Sequence, residues 1–342
     1  MNDKNAFWSG YDRLVNNARN LGIYLVPTLL WNPAQFSAVV GEQPSDVFRN
    51  GKASNSLFRS FVKELVSRYR TEAIILMWEV GNELNLFVKP RTSYYSLDEL
   101  RSFIKDTVDL IKAVDPNHLI GSGMAAPSHD INPTLKVAES QFVSVNDFVD
   151  VASIHTYPCD QNDRLVGTKY PCDQNGYVYG TTETEYIRLF ASAAEKLNKP
   201  MMIGEFGDNL ETNPYSSFSV EALTAAFSTK ILVALMWEWM VPSDRDPSTR
   251  LIWSVDPQKT PFMASLVQRF SIAAQTGAWL GNSMTAKTET TTKVLTVQST
   301  VTATMAEHGT ETATVLSMFI LGIALVVVVG YVIQLKKRLR AS

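Results

Sequence analysis

Two short segments of the 342-residue chain carry carboxylates in positions suited to acid–base and nucleophilic chemistry. The run Ala73-Ile-Ile-Leu-Met-Trp78 leads into Glu79-Val-Gly-Asn82-Glu83-Leu84, and Met201-Met-Ile203 leads into Gly204-Glu205-Phe206-Gly207. Each places a carboxylate at the end of an apolar, strand-like run, where the loops of a parallel α/β protein build an active site. Two such carboxylates are the minimum for glycoside hydrolysis, one donating a proton and the other acting as nucleophile or base. Either glutamate alone would be unremarkable, as a neighbour of a helix cap or a solvated loop residue; the pairing carries the signal.

Other strand ends add to it. His155-Thr156-Tyr157 closes an apolar run, and residues two apart in a strand share a face. Tyr157 is placed to hydrogen-bond a nucleophilic carboxylate and His155 a sugar hydroxyl. Trp237, in Trp237-Glu238-Trp239, offers a flat apolar platform for a sugar ring, and Trp31 is a weaker candidate of the same kind.

The elements that must hold these residues alternate regularly. Apolar, β-branched runs at 23–30, 73–80, 118–121, 149–155, 201–205 and 231–237 predict strands. Amphipathic stretches at 11–20, 56–69, 97–114, 134–141, 182–197, 219–229 and 261–273 predict helices between and around them. Six strand–helix units predict either an open doubly wound sheet or an incomplete eightfold barrel. No glycine-rich phosphate-binding fingerprint follows any strand, which lowers the nucleotide-binding readings.

Composition excludes other classes. A formal net charge of −3 argues against nucleic acid as a partner, and 45 % apolar residues exclude wholesale disorder. Two cysteines and four scattered histidines leave no cysteine- or histidine-based metal motif, so neither metal nor organic cofactor is implied. Cys159 and Cys172 lie in a repeated Tyr-Pro-Cys-Asp-Gln-Asn motif after the His155 strand and are expected to pair as a disulfide across an external loop.

The C-terminal part reads differently from the body. Residues 282–314 hold 12 Thr and 2 Ser among 33, a composition that cannot bury a core and suggests a solvated stalk. Residues 315–333 then run 19 positions without a charge, about 28 Å as a helix, followed by Lys336, Lys337, Arg338 and Arg340. The expected organisation is a barrel domain at 1–278, a Thr-rich linker at 279–314, a transmembrane helix at 315–335 and a basic cytoplasmic tail at 336–342. The positive-inside tendency then predicts a single-pass cell-membrane protein with its catalytic domain outside.

In chain order, MWEVGNEL, DPNHLIGSG, DFVDVASIHTYP, KPMMIGEFG and ALMWEWM resemble strands four to eight of glycoside hydrolase family 5, and GIYLVPTLLWN resembles the third. The likeness covers about residues 8–272 and implies a (β/α)8 TIM barrel, here strands three to eight. It implies Glu83 as acid/base, Glu205 as nucleophile, Asn82 as the partner of the sugar 2-hydroxyl and Trp237 as a subsite platform. The segments around the fifth and sixth strands are most similar to β-mannanases. Leu84 stands where the family commonly has proline, and the first two strands, with the arginine that supports the nucleophile, have no counterpart. The expectation is therefore that roughly 50–100 residues, including an export signal, precede Met1.

The activity expected is retaining hydrolysis of a β-1,4-linked polysaccharide, mannan or glucan. The alternative is a non-catalytic carbohydrate-binding surface protein derived from a truncated barrel.

Overall fold

The computed structural model describes residues 4–89, 92–127, 134–158, 181–210, 215–231, 233–237, 255 and 260–276. The cysteines, Glu238, Trp239, the Thr-rich segment and the apolar run at 315–333 lie outside these residues. Among the described residues no helix is long and apolar enough to cross a membrane.

The helices are α1 (Lys4–Leu21), α2 (Ala34–Val40), α3 (Ala53–Tyr69), α4 (Leu97–Val114), α5 (Leu135–Asn146), α6 (Glu183–Lys196), α7 (Ser217–Ser228) and α8 (Pro261–Thr276). The strands are β1 (Met77–Glu79), β2 (Leu119–Gly121), β3 (Ala152–Thr156), β4 (Met201–Phe206) and β5 (Val233–Met236). Helix starts are written in the sequence. Ser96 and Glu99 cap each other's backbone at α4, Thr182 and Glu185 do so at α6, and Thr134 and Ser216 accept from the first turns of α5 and α7.

All pairings are parallel and follow chain order. The segment at residues 25–28 bridges to the β1 region through Leu25–Ile75 and Thr28–Glu79. β1 pairs with β2, Gly121 of β2 bridges to Val151 before β3, β3 pairs with β4, and β4 with β5. A doubly wound sheet reverses its strand order at a switch point; this arc does not, which is the arrangement of a barrel.

Packing agrees. One buried cluster gathers Val26, Met77, Val151, Met202, Val233 and Leu235, drawn from nearly every strand segment, the first and last included. Two larger clusters lie outside the arc, one against α1–α4 and one against α5–α8. Trp78 and Val80 of the β1 region pack outward into the first of these, so Glu79 between them points inward.

The differences from the sequence expectations are local. Helix α2 starts after Pro33 and stops at Gly41, whose left-handed backbone (φ 71°) glycine adopts without strain. Seven residues are too few to show a helical period, so the pattern there was silent. Helix α5 runs five residues beyond its expected end, and the first strand is reduced to isolated bridges.

Candidate active site

The carboxyl ends of the strands converge on one cluster. Glu83 lies in the loop after β1, and its backbone is left-handed at φ 52°, unusual for a residue with a side chain. Its N–H donates to the Gly123 carbonyl at 2.7 Å, and Asn82 N–H donates to the Leu30 carbonyl at 2.9 Å. Thus the loop is tied to its neighbours on both sides. Gly123 must be glycine: its φ is 67°, and a Cβ there would lie 2.0 Å from the Gly81 carbonyl oxygen and 2.5 Å from Glu79 Cγ.

Glu205 comes from β4. Its Oε2 accepts a 2.6 Å hydrogen bond from the Tyr157 hydroxyl. His155 of β3 lies between the two glutamates, its Nδ1 3.4 Å from Glu83 Oε1 and 3.5 Å from Glu205 Oε1. One atom from each of Glu83, His155 and Glu205 lies within 4.8 Å of the other two. The side chains of Glu83 and Glu205 are 21 % and 14 % exposed, that of His155 only 1 %. The carboxylates therefore face the opening and the imidazole sits beneath them, in place of the sugar-hydroxyl contact expected from sequence.

The electrostatics follow from that burial. Desolvation alone would depress the imidazole of His155, but the surrounding carboxylates Glu205, Glu83 and Glu79 outweigh it and raise the pKa to about 9. The neighbouring carboxylates thus favour the imidazolium form of His155. Glu205 is pushed up to about 7 by burial; His155 and the Tyr157 hydrogen bond pull it down, and Glu83 pushes it up.

Sequence reasoning missed one member of the cluster. Glu79 is buried, its Oε1 accepting a 2.6 Å hydrogen bond from Thr28 Oγ1, and burial raises its pKa against the pull of His155. The inward parity of position 79 within β1 was the available signal, since it places a carboxylate on the same face as Met77.

Asn82 Oδ1 is buried with no hydrogen-bond partner among the described residues. Trp31 and Trp237, past the first and last strand segments, stack with ring centroids 6.2 Å apart and planes inclined by 23°. Hence the two aromatic candidates form one surface at the mouth. The donor set Glu83, His155 and Glu205 is the one His–carboxylate cluster among the described residues with the spacing to take a cation.

Residues 4–236 match a family model described as GH family 5 beta-mannosidase-like. Among curated relatives, mannan endo-1,4-beta-mannosidase 1 of Oryza sativa subsp. japonica is 24 % identical over 78 % of this chain and 70 % of its own length. Mannan endo-1,4-beta-mannosidase F of Aspergillus clavatus is 26 % identical over 57 % of this chain and 43 % of its own. Among solved structures, the endo-beta-1,4-mannanase of Thermotoga petrophila superposes with a TM-score of 0.61 at 19 % identity, over 78 % of this chain and 61 % of that one. The endo-1,4-beta-mannanase of Rhizomucor miehei gives 0.60 at 16 % identity, over 77 % and 76 %. The chain thus spans only part of several proteins it matches, and the superpositions establish a shared fold.

Proposed function

The chain belongs to glycoside hydrolase family 5, and on that premise we propose that it is a retaining glycosidase cleaving β-1,4-linked mannan. The observation that carries the mechanism is the approach of Glu83 and Glu205, with one oxygen of each within 4.8 Å. Retaining enzymes hold their carboxyl groups about 5–5.5 Å apart, whereas inverting enzymes need roughly 6.5–9.5 Å to admit a water.

In this reading Glu83 delivers a proton to the departing glycosidic oxygen. Glu205 attacks the anomeric carbon and forms a glycosyl-enzyme, and Glu83 then takes a proton from the water that releases the sugar. The His155 imidazolium favours the ionised form of Glu205, and the Tyr157 hydrogen bond acts in the same sense. Asn82 serves the sugar 2-hydroxyl, and the Trp31–Trp237 surface receives a ring of the polymer. Mannan is favoured over glucan because the curated relatives named above are mannan endo-1,4-beta-mannosidases. The uncharged run at 315–333 supports attachment to a membrane, with the catalytic domain outside the cell.

A 2-deoxy-2-fluoro mannoside with a good leaving group tests the assignment. Peptide mapping by mass spectrometry should find the trapped sugar on Glu205, and proton NMR of early products should show β-anomers. Label on another residue, or α-anomers, would reject it. Binding of mannan without turnover would favour the carbohydrate-binding alternative.

A further inference from the structure

Strand β4 carries an extra residue at the point where it meets the site. On one side Ile154 pairs with Ile203 and the next residue, His155, pairs with Glu205; on the other, Ile203 pairs with Ala234 and Phe206 with Met236. Both neighbours thus skip one residue of β4 between Ile203 and Phe206. That is a β-bulge, which re-aims the side chain beside it.

The consequence for Glu205 follows from the pleat. Met202 packs in the inner cluster and Ile203 in the outer one. In an unbroken strand Glu205 would share Ile203's outward face, against the helices. The bulge instead brings Glu205 round to the inside, where it meets Tyr157 and His155.

Gly204 does a second thing. A Cβ there would lie 2.7 Å from His155 Nε2 and 2.8 Å from Cδ2, closer than any real side chain approaches. The absent side chain is therefore the space in which the imidazole sits. His155 is 3 % exposed, and neither ring nitrogen has a regular hydrogen bond among the described residues. The ring is located by packing against bare backbone and by charge, with Glu83 and Glu79 facing it from the β1 side and Glu205 from β4.

We infer that Gly204 is a positioning residue for the reaction: its bulge turns Glu205 inward, and its missing side chain seats His155 under both carboxylates. The inference rests on the hydrolase reading for its catalytic consequence, though not for its geometry.

A double-mutant cycle in the full chain tests it. Gly204→Ala should lower kcat on mannan about 100-fold, the effect expected of a misplacement near 1 Å, with KM within about twofold and a displaced acidic limb in the pH profile of kcat/KM. The fall in Tm on Gly204→Ala should disappear when the same change is made in His155→Ala, because the ring it collides with is gone. Equal falls in both backgrounds would overturn the inference whatever the activity, as would a rise in KM with kcat unchanged. If Gly204→Ala does not fold, folding regained in the double variant supports the seat, and a double variant that also fails to fold overturns it. Strong coupling in Tm together with a wild-type chain inert on every β-1,4-glycan would support the seat and remove the hydrolase reading instead.

Discussion

Tyr157 donates its hydroxyl to Glu205 Oε2 at 2.6 Å, from a strand end 48 residues away in the chain. The bond favours the ionised carboxylate, opposing the burial that pushes Glu205 up to about 7. Removing it in Tyr157→Phe should raise the pKa further. In the proposed mechanism Glu205 attacks as the carboxylate, so the acidic fall-off of kcat/KM should begin at higher pH than in wild type. A hydrogen bond to a charged group is worth about 1.5–3 kcal/mol, so the loss in kcat/KM near pH 6 should be roughly 10- to 100-fold. A profile unchanged in both height and position would show that the contact does not govern Glu205.

The aromatic pair at the mouth makes a separate prediction. Trp31 and Trp237 stack on one another, so each restrains the other's ring. Trp237→Ala should raise KM for manno-oligosaccharides about tenfold while kcat changes little. Trp31→Ala should raise it by a smaller factor, about threefold, through loss of the supporting ring. Steady-state kinetics on a length series of oligosaccharides reads both effects.

Below the site, Asp115 accepts hydrogen bonds from Trp78 Nε1 at 2.9 Å and from the backbone N–H groups of Asn117 and His118 at 2.9 and 3.1 Å, and it meets His118 Nδ1 at 2.5 Å. It is fully buried, and the Trp78 indole it holds packs into the outer core. Asp115→Ala strands these donors and should cost about 3 kcal/mol by urea denaturation, with KM unchanged.

Glu183 predicts a slope of stability with pH. Burial raises its pKa to about 8, and Glu221 adds to that effect, while the 2.7 Å hydrogen bond from Thr156 Oγ1 opposes it. In the unfolded chain its pKa is about 4.3, so between that pH and about 8 the folded state holds a proton the unfolded state has released. Stability attributable to Glu183 is therefore full at acid pH and lost as pH rises through this window. Glu205 and His155, also raised, act in the same sense, whereas Asp12 and Glu99, both lowered, set the limit on the acid side. Glu183→Gln keeps an acceptor for Thr156 and should raise Tm at pH 8 while leaving it nearly unchanged at pH 4. Equal changes at both pH values would refute the assignment.

Much of the site could be read from the sequence because barrel chemistry sits where apolar runs end. The positions of Glu83, His155, Tyr157 and Glu205 follow from strand ends alone, and α4 and α6 announce themselves by reciprocal caps. What stayed hidden depends on contacts between segments far apart in the chain. The role of Gly204 appears only once β3 and β5 are laid beside β4, because a bulge is a property of a pair of strands. The expected strand at 73–80 gives Glu79 no partner; the hydrogen bond from Thr28, 51 residues earlier, is what ties it to the site. His155 could be placed on the inner face, but its depth beneath the carboxylates needs the space left at Gly204.

Glu83 is fastened less by its own strand than by the next loop along, through its amide on the Gly123 carbonyl and through Asn85, whose amide group grips both the N–H and the C=O of Ala125. On the proposed mechanism, warming that loosens this suture would first misdirect the proton from Glu83 and leave Glu205, braced on other strands, in place. A mildly heated sample should then lose kcat/KM on natural polymers before it loses kcat/KM on aryl glycosides, whose departing phenolate requires no protonation.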